Sequence, residues 1–326
     1  RSWRSNFLFD YIKQSYLIAS RHIQHAVASV DGLSPESEKK VAFFTRQYVD
    51  ALSPSNFALT NPQVLRETLA SGGQNLLKGL NNLLADLEKG GGSLRISMTD
   101  EKAFQLGKNV AATPGKVVYQ TDLMQLLQFE PTTADAYRTP LVIVPPWINK
   151  YYILDLQPEN SLIRWAVEQG HTVFVISWVN PDGRLRDKSL EDYMREGPLA
   201  ALDAVGKATG ERRANVVGYC IGGTLLAIAA AALARDRDER IGTITMFAAQ
   251  TDFSEPGELA FFINPSQLAM LEASMHRKGV LESKQMGGAF ALLRAQDLVF
   301  QPIVDNYLKG QRSQMIDLMA WNADGT

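Results

Sequence analysis

The sequence predicts an α/β protein with a buried, mostly parallel sheet and helices on both of its faces. Two observations carry this. Four short apolar, β-branched runs lie at Leu141–Val144, Thr172–Ile176, Asn215–Gly218 and Thr243–Phe247, and helical stretches separate them at 158–170, 190–208 and 222–235. Strands that are apolar throughout belong to sheets covered on both sides, and regular strand–helix alternation produces parallel crossovers. No internal repeat or low-complexity tract competes with this pattern. The composition agrees, since 326 residues with 45% apolar and 21% charged side chains supply a core and exclude wholesale disorder.

Taken in order, residues 1–115 read as a helical region. Ser34-Pro35-Glu36 offers an N-cap, a proline at the first helical position and an early acid, ahead of Val41, Phe43, Phe44 and Tyr48. Asn61-Pro62 repeats the start signal. Leu76, Leu77, Leu80, Leu83, Leu84 and Leu87 then recur at helical spacing until Gly90-Gly91-Gly92 stops the helix, and this stripe is expected to pack on a core or a partner helix. Val117–Tyr119 and Met124–Phe129 read as two strands about a turn at Gln120–Leu123, which opens an α/β core over 116–252. Residues 253–326 show no strong strand run, only helical segments such as Phe262–Met275 and Met286–Leu293, and read as a cap inserted over the sheet. A sheet of this kind calls for further strands after residue 326. Together with Arg1 in place of an initiator Met and a polar end at Trp321–Thr326, this leads us to expect a fragment.

Charge and composition exclude several classes. Lys+Arg 33 against Asp+Glu 35 gives a formal charge of −2, so no positive field points to nucleic acid. No apolar run reaches the ~18–20 residues of a membrane span, and no secretory h-region opens the chain. The single cysteine forms no internal disulfide and fits a reducing, cytoplasmic compartment. No metal site and no cofactor is expected.

That cysteine carries the strongest chemical signal. In Val216-Val217-Gly218-Tyr219-Cys220-Ile221-Gly222-Gly223 an apolar strand runs into Gly-x-Cys-x-Gly, and an Ala/Leu-rich helix follows from Thr224. This is the nucleophile elbow of the α/β-hydrolase fold with Cys in place of Ser. Gly218, Gly222 and Gly223 let strand and helix approach, while the helix N-terminus favours negative charge on the sulfur and on a developing oxyanion. Outside this context, a free cysteine is most often a small buried hydrophobe.

The second signal is the strand Leu141–Val144, which ends at Pro145-Pro146 and leads into Trp147-Ile148-Asn149-Lys150. In this fold the loop after that strand donates one oxyanion amide, and the residue after the nucleophile donates the other. The amides of Ile221 and Ile148 are therefore the expected donors, with Trp147 as the neighbour to try next. A thiolate also needs a base and an orienting acid. His22 and His25 fall in the helical region, and His171 precedes a parallel strand at the sheet end opposite the elbow. His276 follows the nucleophile in chain order but lies in the helical insertion, so the triad Asp and His are expected outside this fragment.

Together these residues make a familiar set. Ser53-Pro54-Ser55-Asn56-Phe57 with Thr60-Asn61-Pro62, Pro145 to Leu156 continued by Gln157-Pro158-Glu159-Asn160-Ser161, and Val167 to Phe174 are three of its segments. Gly218 to Gly223, Asp297-Leu298-Val299, Asn306 to Gly310, and Trp321-Asn322-Ala323-Asp324 complete it, in order along nearly the whole chain. The chain resembles class I polyhydroxyalkanoate synthase, which polymerises (R)-3-hydroxyacyl-CoA into storage polyester. The resemblance implies a Cys–Asp–His triad with Cys220 as nucleophile, a mobile cap, and an N-terminal helical domain linked to granule binding and dimer formation. It places Asp155 in the family pattern, where we read it as holding local structure. Phe300 departs from the family at a position where Trp is more usual.

The implied activity is that of an acyltransferase: Cys220 takes the acyl group as a thioester, CoA leaves, and a hydroxyl then attacks. Attack on a thioester by a thiolate keeps the acyl group activated, whereas a serine would form a less reactive oxygen ester. The resemblance further implies a coenzyme A thioester as substrate, a polyester granule surface and a second copy of the chain as partners, and a place at cytoplasmic granules. Arg294 is a candidate contact for CoA phosphates, with Arg277 and Lys278 as others. Two other readings stay open: a cysteine hydrolase of small esters or lactones, and a non-catalytic granule-associated subunit.

Overall fold

The computed structural model describes residues 2–281, 291–311 and 317–323. The chain divides into two compact units. The first holds the residues up to Asp100, Pro256–Leu268 and the described part of 284–316; the second holds the remainder. The first break falls after Asp100, and the stretch 253–326 is shared between the units. Of the helix read at Met286–Leu293, residues 286–290 lie outside the described residues, as does Asp324.

In the first unit four helices follow one another: α1 (Phe7–Ala28), α2 (Pro35–Ala51), α3 (Pro62–Ala70) and α4 (Gln74–Lys89). The expected caps are in place. The Ser34 side chain accepts from the Ser37 amide with Pro35 at the first helical position, and the Asn61 side chain accepts from the amides of Gln63 and Val64. Phe43 of α2 is buried against Phe261 and Phe262, with ring centroids 5.2 and 5.8 Å away.

Within this chain the leucine stripe of helix α4 does not cover a core, so of the two expected roles packing on a partner helix is the one that stands. Leu76, Leu77, Leu80 and Leu84 are exposed, while Asn75, Gly79, Asn82 and Asp86 are buried. The reason is the helical turn Val304–Leu308, which lies along the polar face. The Asn75 amide donates to the Leu308 carbonyl (2.8 Å), and the Asn82 amide to that of Asn306 (3.0 Å). Asp86 accepts from the Tyr307 hydroxyl (2.7 Å), the Ser97 hydroxyl (2.6 Å) and the Ser97 amide (3.1 Å). Gly79 leaves room for the Tyr307 backbone, which a Cβ would overlap. Polar groups can be buried in this way because each finds a partner.

The second unit is built on a six-stranded sheet. Its strands are β1 (Gly115–Gln120), β2 (Met124–Phe129), β3 (Leu141–Val144), β6 (Val173–Trp178), β7 (Ala214–Tyr219) and β8 (Ile241–Phe247), in the spatial order β1-β2-β6-β3-β7-β8. β2 runs antiparallel to both neighbours, and β6, β3, β7 and β8 are mutually parallel. A separate small hairpin, β4 (Asp155–Gln157) and β5 (Asn160–Ser161), follows the β3 loop. Alternate strand residues feed two cores: Val142, Phe174, Ile176 and Val216 face Leu225 and Leu226, while Ile143, Val175 and Val217 face Ile163 and Val167. The helices are α5 (Leu162–Glu168), α6 (Leu190–Met194), α7 (Ala200–Thr209), α8 (Ile221–Arg235), the part of α9 (Pro265–Lys278) from Ala269 onward, and α10 (Asp317–Ala323). The single helix expected at 190–208 is interrupted by a widened π turn, Arg195–Leu199, which accommodates Pro198, a residue without an N–H. β8 is an edge among the described residues, with Ile244, Met246 and Phe247 exposed. With its second strand reversed and an elbow after β7, this is the core of an α/β-hydrolase fold.

Candidate active site

The site grows from the C-terminal ends of β3 and β7. These strands are paired in parallel, and Val144 lies opposite Gly218, so the chains leaving them emerge at the same end of the sheet. That end is where open α/β sheets bind ligands. His171 precedes β6 at the other end, where its ring meets Tyr137.

Cys220 turns the corner between β7 and α8 with φ 54° and ψ −130°. A side chain pays about 1–3 kcal/mol to sit in such a region, so the surrounding structure must hold it there. It does so through the backbone. The Cys220 amide donates to the Phe247 carbonyl on β8 (2.8 Å), and the Cys220 carbonyl accepts from Gly223 (2.9 Å) and Thr224 (3.3 Å). The Thr224 hydroxyl donates to the Gln250 carbonyl (2.7 Å), which ties the loop after β8 to the helix start. The three glycines are explained by close approach. A Cβ on Gly218 would overlap Gly223, one on Gly222 would overlap the backbone of Val144 and Pro145, and one on Gly223 would strike Ala249.

Cys220 as a residue is half-buried rather than sealed in the core. Ile221 occupies the first position of α8, where a helix leaves amides without intrahelical acceptors. Ile148 lies in the loop that leaves β3, followed by the short helical turn Tyr151–Leu154. Trp147 beside it packs on Tyr193 and Trp178, with centroids 5.3 and 6.4 Å away. The Tyr219 hydroxyl is pushed above its ordinary pKa by burial and then by the neighbouring Cys220, which keeps it protonated.

Asp155 is buried and accepts from the Thr113 amide (3.2 Å), the Thr113 hydroxyl (2.6 Å) and the Ser161 hydroxyl (2.6 Å), so it fastens the β4–β5 hairpin. Beside it, burial and then the Asp155 charge push the Tyr151 hydroxyl up to about 12. Arg294 belongs to the first unit and is exposed, and its guanidinium pairs with Asp297 one turn away at 2.6 Å. Arg277 and Lys278 lie with His276 in the last turn of α9, and His22 and His25 are exposed on α1. Among the described residues no histidine is hydrogen-bonded to Cys220, and no group of three or more His, Cys, Asp or Glu could hold a metal. No helix among them is long and apolar enough to cross a membrane.

The family model described as poly-β-hydroxybutyrate polymerase (PhaC) N-terminus matches residues 1–166, just over half of the chain. The chain belongs to this family. Its relatives include the poly(3-hydroxyalkanoate) polymerase of Methylorubrum extorquens, 49% identical over 99% of this chain and 54% of that protein. The PhaC subunit of the Rhizobium meliloti polymerase is also 49% identical, over 99% of this chain and 53% of its own length. The Cupriavidus necator PhaC subunit is 38% identical over 100% and 55%. The chain thus spans about half the length of the curated PhaC relatives it matches. Among solved structures, an α/β hydrolase from a lagoon-sediment metagenome is similar at 14% identity with a TM-score of 0.29, over 45% of this chain and 57% of that one.

Proposed function

We propose that the chain carries the nucleophile of a poly(3-hydroxyalkanoate) polymerase acting on (R)-3-hydroxyacyl-CoA. In this reading the Cys220 thiolate attacks the thioester carbonyl, and the amides of Ile221 and Ile148 stabilise the oxyanion. The carbon–sulfur bond to CoA breaks, CoA leaves as its thiolate and takes up the proton that Cys220 lost, and an acyl-cysteine thioester remains. The hydroxyl of a growing chain or of a second hydroxyacyl group then attacks this thioester. A base removes the hydroxyl proton, an ester forms, and the cysteine sulfur is released to be reprotonated. The acid and histidine base come, in this reading, from the part of the relatives' length that this chain does not span. The polyester granule surface and a second copy of the chain are the proposed partners.

One observation carries the proposal: Cys220 sits at positive φ on a glycine-flanked corner at the start of α8, half-open and held by backbone bonds from both sides. The likeness to polymerases over the whole chain supports the substrate class. Cys220→Ala in the complete protein is expected to abolish both CoA release and polymer from (R)-3-hydroxybutyryl-CoA, measured by thiol assay and by recovery of insoluble polyester. Retained polymerisation in that variant overturns the assignment, and free hydroxy acid as the wild-type product turns it into a hydrolase.

A further inference from the structure

We infer that two indoles, Trp178 and Trp321, are positioning residues that hold the Pro145–Lys150 loop, and with it the Ile148 amide, in register with Cys220. The inference rests on the acyl-transfer reading for its purpose, but the clamp itself rests on geometry within the second unit. Pro145 and Pro146 have no N–H, so the start of the loop can be anchored only through its carbonyls. The Pro145 carbonyl accepts from the indole N–H of Trp178 at the end of β6, a buried bond of 2.8 Å. The same Pro145 carbonyl is approached by Gly222 of α8 so closely that a Cβ would overlap it. The Trp178 ring is itself fixed, because Gly197 in the π turn leaves the space it fills and Tyr193 packs against it at 5.4 Å.

The far end of the loop repeats the device. The Lys150 carbonyl accepts from the indole N–H of Trp321, 2.8 Å away, and the Lys150 ammonium donates to the Asn180 side chain at 2.7 Å. Only Pro146, Trp147, Ile148 and Asn149 lie between the two anchored carbonyls. A backbone donor in a loop stabilises an oxyanion only if it is held to within about 0.5 Å of the productive position. Two indole donors at the loop's ends provide that restraint, one borne on the sheet and one on α10 (Asp317–Ala323), 171 residues away in sequence.

The test uses Trp178→Phe and Trp321→Phe in the complete protein, each of which keeps a ring and removes the N–H. Turnover of (R)-3-hydroxybutyryl-CoA is expected to fall roughly ten- to hundredfold in kcat, with KM within about twofold. The rate of Cys220 alkylation by iodoacetamide stays at the wild-type value, which shows the elbow intact. Amide hydrogen exchange at 147–150 speeds up at least about tenfold, a readout independent of activity. Wild-type kcat and wild-type exchange in both variants overturn the clamp, as does a kcat loss that only follows a loss of Cys220 alkylation. A wild-type protein that releases no CoA overturns the acyl-transfer reading instead, and the exchange data still decide the clamp.

Discussion

Helices α4 and α8 are both rich in leucine, and each is gripped by another backbone through a glycine, yet they bury opposite faces. α8 buries Leu225, Leu226 and Leu233 against the sheet, and Gly222 admits the end of β3. α4 buries Asn75, Gly79, Asn82 and Asp86, leaves four leucines in solvent, and uses Gly79 to admit Tyr307. A helix faces inward with whichever side can satisfy its neighbour. Where that neighbour is a strand the apolar side wins, and where it is a turn with exposed carbonyls and a tyrosine hydroxyl, amides and a carboxylate win.

The comparison can be broken most sharply at matched leucines. Leu226→Ala is expected to cost about 3 kcal/mol in chemical denaturation, because a fully buried side chain leaves a cavity. Leu80→Ala, at a half-exposed position, is expected to change stability by less than about 0.5 kcal/mol. Equal losses at the two sites would mean that the leucine face of α4 is covered. Next in size, Gly79→Ala should cost about 2 kcal/mol, since the added carbon meets backbone that cannot swing aside. A neutral result there would show that Tyr307 does not pack on α4 as described.

A smaller effect concerns pH. With its hydroxyl pushed up to about 12 against an ordinary 10, Tyr151 holds its proton more tightly in the folded chain. Its contribution to stability is present in full below pH 10 and is lost as the pH rises towards 12. An absorbance titration that compares wild type with Tyr151→Phe should show one tyrosine ionising late, and a missing late step would remove the burial argument.

What the sequence revealed follows the range of each interaction. The caps at Ser34 and Asn61, the strand runs and the three elbow glycines obey rules set within a few residues, and all were legible. The buried face of α4 was not, because Tyr307 lies 221 residues from Asp86 and nothing in the leucine spacing reports a distant hydroxyl. The two indole anchors escaped for the same reason, although the doubled proline at 145–146, a stretch with no amide of its own to be held by, was a usable hint. The i+3 spacing of Arg294 and Asp297 is the local signal of the ion pair that the structure shows between them.

The central claim is that the sulfur of Cys220 becomes the acyl carrier. Intact-mass and peptide mass spectrometry of the complete protein, quenched in acid after brief mixing with (R)-3-hydroxybutyryl-CoA, tests it directly. The account predicts a hydroxybutyryl adduct on the peptide containing Cys220, formed with stoichiometric CoA release and absent in Cys220→Ala. CoA release with no adduct on that peptide, or an adduct that persists in the alanine variant, contradicts it.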